Sequence, residues 1–169
     1  MGFIIKYNPD YKPGHEYYKK KYYHNPDAVE KVIHYVLRKD ARANGIDNIR
    51  GAIGTYSKDP QGIISDFYKL KKLYHQEKGM QIKHIIISFG KRPDLTTKKI
   101  KKMLTKILGF FSHKYQTVYA VHEDTENYHL HIALNSVDYW GNKINIRAED
   151  KRQFQIQLDK IWRQYMDKK

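Results

Sequence analysis

The chain has no cysteine among its 169 residues. That removes a disulfide framework, a thiolate metal ligand and a thiol nucleophile together. Any metal must be held by histidine and carboxylate. Long apolar runs are also missing. The start, MGFIIKYNPD, has three consecutive apolar residues before Lys6, so the expectation is neither a signal peptide nor a membrane span, no membrane insertion, and a cytoplasmic protein. Acidic residues are scarce: 18 Asp and Glu stand against 32 Lys and Arg, a net charge of +14 with a pI near 9.7. That is more than solubility requires and points to a polyanionic partner. A basic membrane-surface protein is the weaker alternative, since its charged amphipathic helix would not come with acidic metal-ligand candidates.

What the chain does have is tyrosine, fifteen in all. Several are interleaved with lysine, most densely in HEYYKKKYYH (15–24). Such a segment either lines a groove that pairs phosphates with cations and bases with rings, or forms a solvated arm. The length suits one domain over residues 1–169, able to bury about two-thirds of its unfolded surface. There are no internal repeats and no low-complexity segment.

Apolar periodicity orders the chain. FIIKYN (3–8) reads as a short strand. Asn25-Pro26-Asp27 reads as a helix start, with Asn25 as N-cap and Pro26 at the first helical position. Val29, Val32, Ile33, Val36 and Leu37 then form one buried stripe. Tyr35 falls about 120° from that stripe at roughly 100° per residue, so it should point off the core beside Arg38 and Lys39. Residues 40–62 are polar and glycine-rich, a loop with one short strand near 52–56. Ser65 is read as the cap of a helix that ends by Gly79, and IKHIIISFG (82–90) as a strand. A helix after Asp94 carries Ile100, Met103, Leu104, Ile107, Leu108 and Phe111 on one face. Two strands joined by a tight acidic turn follow, then a short strand over 143–147 and a last helix burying Phe154, Leu158, Ile161 and Trp162.

The hairpin holds HEDTENYHLHIALN (122–135). In its second strand His129, His131, Ala133 and Asn135 face one side while Leu130, Ile132 and Leu134 face the other. An H-x-H pair puts two imidazoles about 6.5–7 Å apart along one face. If 119–123 pairs with 128–132, His122 joins them from the neighbouring strand. Three neutral imidazoles would leave open positions on a divalent cation, as catalysis requires. Asp124 lies close enough to orient an imidazole or accept a proton. The other reading is a hairpin with solvent-facing histidines. Mg²⁺ or Mn²⁺ would act as Lewis acid on a phosphodiester, and Zn²⁺ would favour hydrolysis with no protein nucleophile.

These residues resemble the H-x-D-T…H-x-H-x-x-x-N motif of conjugative relaxases of the MobP type, members of the HUH endonuclease superfamily. The resemblance extends outward through KHIIISFGKRPDLT (83–96) and VDYWGNKINI (137–146), and more loosely to VIHYVLRKD (32–40). It implies that His122, His129 and His131 hold a divalent metal. It also implies that Tyr35 attacks a phosphodiester at the nick site of a transfer origin, leaving a 5′-phosphotyrosyl link and a free 3′-hydroxyl. The tyrosine's proton must go to Asp124 or to a base at the metal.

The rival nucleophile is Tyr165, whose Y-M-D-K resembles the Y-x-x-K helix of rolling-circle initiators and related HUH transposases; packing also accounts for it, because it continues the stripe of the last helix. Tyr17, Tyr18, Tyr22 and Tyr23 are further candidates. A non-enzymatic nucleic-acid-binding module is the third function class. Arg38, Lys39, His84, Arg92, Asn135 and Lys143 are the candidate DNA contacts. The expected architecture is α+β, a two-layer α/β sandwich: a mainly antiparallel sheet of about five strands, helices on one face and the active site on the other. The partners implied by the resemblance are single-stranded or supercoiled transfer-origin DNA, an accessory DNA-binding protein and the coupling protein of a secretion system.

Overall fold

The computed structural model describes residues 3–8, 22–39, 49–123 and 126–166. The elements run β1 (Ile4–Tyr7), α1 (Ala28–Leu37), β2 (Arg50–Ile53), α2 (Pro60–Leu73), β3 (Ile82–Gly90), α3 (Thr97–Ser112), β4 (Tyr115–His122), β5 (Asn127–Asp138) and α4 (Ala148–Met166). The five strands form one antiparallel sheet in the order β1-β3-β5-β4-β2, so the α+β class and the strand number are as expected. None of the helices among the described residues is long and apolar enough to cross a membrane.

Strand parity divides the sheet into two faces. Ile85, Ile87, Leu130, Ile132 and Leu134 lie on one, under α3 and α4. This larger core is built as the α3 stripe requires, with Ile100, Leu104, Leu108 and Phe111 all buried. Leu130 is fully buried there, and truncating it to Ala would cost about 2–5 kcal/mol. Thr96 caps α3 by accepting from the Lys99 amide at 3.3 Å, which satisfies one of the helix's unpaired first-turn donors.

The other face carries Ile82, Val118, Ala120 and Ala133 beneath α1 and α2. Here the arrangement differs from the expectation of helices on one face only. α3 and α4 cover the apolar face, while α1 and α2 pack on the histidine face. The stripe of Val29, Val32, Ile33 and Val36 needs an apolar floor, and small Ala120 and Ala133 supply it.

Several boundaries also differ. α1 begins at Ala28, and Asn25 uses its carbonyl to receive the Ala28 amide at 3.0 Å, forming a turn in place of a side-chain cap. α2 starts at Pro60, five residues before Ser65, because Asp59 accepts from the Gly62 amide at 2.9 Å and Pro60 suits the first turn. The stretch 143–147 contributes one bridge, Val137 to Lys143, and no full strand. Of HEYYKKKYYH, residues 15–21 lie outside the described residues, as do Tyr17 and Tyr18. Tyr22 and Tyr23 sit buried in a 3-10 turn against α1.

Candidate active site

His129 and His131 stand two residues apart on the same face of β5, and antiparallel pairing sets His122 of β4 directly opposite His129. β3 adds His84, opposite Ala133 on the same face. His131 is the centre of the group. Its ring centroid lies 4.1 Å from that of His122, 5.2 Å from His84 and 6.3 Å from His129. The three-histidine motif therefore gathers as strand parity required, with a fourth imidazole beside it.

α1 brings Tyr35 over this cluster. Its ring is edge-on to His131, His122 and His84 at centroid distances of 5.4, 5.8 and 6.0 Å. Tyr35 is off the buried stripe, as its angular position demands, but it leans onto the histidines rather than out to solvent. The guanidinium of Arg38 lies 4.1 Å from the centre of the Tyr35 ring, a cation–π geometry. His122 donates from Nε2 to the Val36 carbonyl at 2.7 Å. Residues 35 and 122, far apart in the chain, are held in one locus by that bond and by the packing of α1.

Burial governs the electrostatics. It pushes the His84 imidazole down to about 3, with neighbouring His122 adding to the effect. Burial likewise lowers His131 well below the usual range, helped by His84, His122, His129 and Arg38. Both rings are therefore neutral near pH 7, the form in which imidazole binds a metal. Nε2 of His84 is 3.0 Å from Nδ1 of His131, and the Tyr23 hydroxyl is 3.5 Å from Nδ1 of His84.

Donor chemistry on this face suits a divalent cation. The His122 bond to a carbonyl requires a proton on Nε2, so in its neutral form the lone pair sits on Nδ1. Among the described residues no three His, Asp or Glu side chains gather their donor atoms around one point. Nδ1 of His131 and Nε2 of His122 are turned to His84 and Val36. The opposite nitrogens of these two rings are the ones a cation would take.

The remaining site candidates separate by burial. Asp124 lies outside the described residues. Arg38 follows the last residue of α1 and lies over the Tyr35 ring, Lys39 is next in the chain, and Arg92 is exposed with Asp94 at 3.0 Å. Three residues expected to meet DNA have partners within the protein. His84 is fully buried and belongs to the imidazole group. Asn135 is fully buried: it accepts from Lys71 and donates to the Phe67 carbonyl at 3.1 Å and to Gln116 Oε1 at 2.8 Å. The Lys143 ammonium donates to the carbonyls of Gln76 and Met80 at 2.7 and 3.3 Å.

Tyr165 packs in the α3–α4 core on the far side of the sheet, with Lys106 over its ring. Lys71 and Tyr23 were missed as partners of site residues. Nothing in the apolar pattern singles out Lys71, and the sequence offers Tyr23 only as a further nucleophile candidate in the tyrosine–lysine segment.

A family model described as relaxase, MobA/VirD2-like, nuclease domain, matches residues 35–166. Among curated proteins, the chain is 42% identical over 65 residues to protein TraI of Escherichia coli, covering 37% of this chain and 9% of that protein. It is 32% identical over 128 residues to protein rlx of Staphylococcus aureus, covering 75% of this chain and 37% of that one. A second Staphylococcus aureus protein rlx is 28% identical over 142 residues, 83% of this chain and 42% of the relative. The chain thus spans less than half the length of each of these relatives.

Proposed function

Because the chain belongs to the MobA/VirD2-like relaxase family, we propose that it nicks one DNA strand at a transfer origin by tyrosine transesterification, for conjugative transfer or mobilisation. The observation that carries this reading is the Tyr35 ring within 5.4–6.0 Å of three imidazole rings. In the step, Tyr35 Oη bonds to phosphorus and the bond from phosphorus to the 3′ oxygen breaks. The products are a 5′-phosphotyrosyl link and a free 3′-hydroxyl, so the phosphoester is kept for later rejoining. The phenolic proton passes to a base, for which Asp124 is the candidate, and the leaving 3′ oxygen ends protonated.

His122, His129 and His131 would hold a divalent cation, Mg²⁺ or Mn²⁺, with Zn²⁺ the further option. When bound, the cation supplies charge stabilisation to the non-bridging phosphate oxygens. The chain's own groups do the rest. α1 positions Tyr35 above the phosphate, and Arg38 and Lys39 meet the backbone next to it. Positioning and electrostatics dominate such transfers. The transfer-origin DNA is the proposed substrate, with an accessory DNA-binding protein and a coupling protein as further partners. The reading through Tyr165 has less support, since that side chain lies across the sheet from the histidines.

The test is SDS-resistant capture of labelled single-stranded origin oligonucleotides. Wild type and Tyr165→Phe are expected to form the adduct, and Tyr35→Phe to form none while still binding the oligonucleotide. An adduct that persists in Tyr35→Phe and disappears in Tyr165→Phe overturns the assignment.

A further inference from the structure

Two buried groups line up behind the imidazole at the centre of the cluster, that of His131. Tyr23 Oη lies 3.5 Å from Nδ1 of His84, and Nε2 of His84 lies 3.0 Å from Nδ1 of His131. His84 is fully buried, His131 is 3% exposed and Tyr23 5%, so water does not compete freely for these atoms. Antiparallel pairing fixes the geometry, because His84 faces Ala133 and the neighbouring pair is Ile86 with His131. The small side chain at 133 leaves room for the His84 ring to reach its diagonal neighbour.

We propose that His84, backed by Tyr23, is a positioning residue that accepts the Nδ1 proton of His131 and so presents the Nε2 lone pair of His131 to the cation. The inference rests on the reading of His131 as a metal ligand. A neutral imidazole has one N–H and one lone pair, so the contact between two ring nitrogens has two proton arrangements. In the first, His131 donates from Nδ1 to His84 Nε2, and His84 in turn donates from Nδ1 to the Tyr23 oxygen. In the second, the Tyr23 hydroxyl donates to His84, His84 donates to His131, and the His131 proton sits on Nε2. Only the first leaves Nε2 able to ligate. Ligating histidines are commonly fixed this way by an acceptor behind them, a carboxylate or a carbonyl; in this chain the acceptor is another imidazole. A carboxylate would attract a proton onto His131, whereas a neutral imidazole holds the tautomer without adding charge.

The test combines two readouts that do not depend on nicking. Long-range ¹H–¹⁵N correlation on the metal-free protein reports which His131 nitrogen carries the proton, and titration with Mn²⁺ reports affinity. Wild type is expected to show the proton on Nδ1. His84→Gln, whose amide oxygen can accept the same proton, should keep that tautomer and bind Mn²⁺ within a few-fold of wild type. His84→Leu should move the proton to Nε2 and weaken Mn²⁺ binding roughly 10- to 100-fold. Tyr23→Phe keeps the ring packing and serves should His84→Leu fail to fold; it should shift the tautomer in the same direction, with a smaller loss of affinity. A wild-type proton on Nε2, or unchanged Mn²⁺ affinity in both His84→Leu and Tyr23→Phe, overturns the proposal. If wild type shows the Nδ1 proton and binds Mn²⁺ but forms no DNA adduct, the nicking reading fails and this one stands.

Discussion

His122 donates from Nε2 to the carbonyl of Val36 across 2.7 Å, which ties the residue next to Tyr35 to the central strands of the sheet. The last four carbonyls of a helix have no intrahelical partner, and α1 ends at Leu37. His122 therefore satisfies one of these orphans while standing in the motif face. The same histidine that would hold the cation also holds the end of the helix that carries the nucleophile candidate.

From this follows the first prediction. His122→Ala removes the donor and leaves a buried carbonyl unpaired, at a cost of about 1–3 kcal/mol. Amide exchange in the last turn of α1 should accelerate more than exchange in its first turn, and unfolding should shift to lower urea. Equal protection of α1 in His122→Ala and wild type would show the bond to be dispensable.

A second prediction concerns Asn135. The amide bridges α2 to the sheet through Lys71, the Phe67 carbonyl and Gln116. Asn135→Ala should lower stability by about 1–3 kcal/mol, because three buried groups lose a partner. DNA affinity of the folded fraction should stay within a factor of two. A large loss of affinity at unchanged melting temperature would mean that the amide reaches the nucleic acid.

Asn135 also marks where sequence reasoning stopped. Strand parity placed it on the histidine face, and that was right. Parity cannot say what lies over a face, and here α2 covers the Asn135 end while α1 covers the histidine end. The register of His122 against His129 was legible because a tight turn between two strands leaves few pairings. Tyr35 was legible as off the stripe, but its lean onto the imidazoles depends on α1 packing over small residues at 120 and 133. The start of α2 was missed although Asp59-Pro60 is a helix-opening pair, since the glycines around it suggested a loop. His84 read as a strand residue near DNA; only the pairing of β3 with β5 brings it behind His131.

A third prediction follows from Lys71. It is fully buried on α2, and burial, with Lys143 nearby, pushes its ammonium down from 10.5 to about 7. The unfolded chain binds a proton at this lysine up to the usual range, so between about 7 and 10.5 the unfolded state holds more protons than the folded one. Stability from this group therefore rises with pH across that window. Below about 7 both states are charged and the burial penalty is complete. Lys71→Met has no such charge, so wild-type stability relative to Lys71→Met should climb as pH goes from 7 to 10, by up to several kcal/mol. Urea unfolding of both proteins at pH 6.5, 8 and 9.5 measures it, and a flat difference would show that the ammonium is not desolvated.

The last prediction separates charge that meets DNA from charge that holds the fold. With a net charge of +14, binding to single-stranded DNA should weaken steeply with salt, the slope of log K against log salt being about −0.7 for each phosphate neutralised. Arg38 lies beside Tyr35 at the end of α1, where a strand crossing the histidines would run. Arg38→Gln should therefore make the slope shallower by about 0.7. It should also weaken binding most at low salt. Lys143 spends its donors on the carbonyls of Gln76 and Met80, just past the end of α2. Lys143→Gln should leave the slope unchanged and instead lower the melting temperature, because the two carbonyls lose their donor. Anisotropy titrations at three salt concentrations decide between the roles. A slope that changes equally in both variants would mean that the Lys143 ammonium leaves its carbonyls for a phosphate when DNA binds, and that the contact surface extends from α1 along the whole face to the far end of β5.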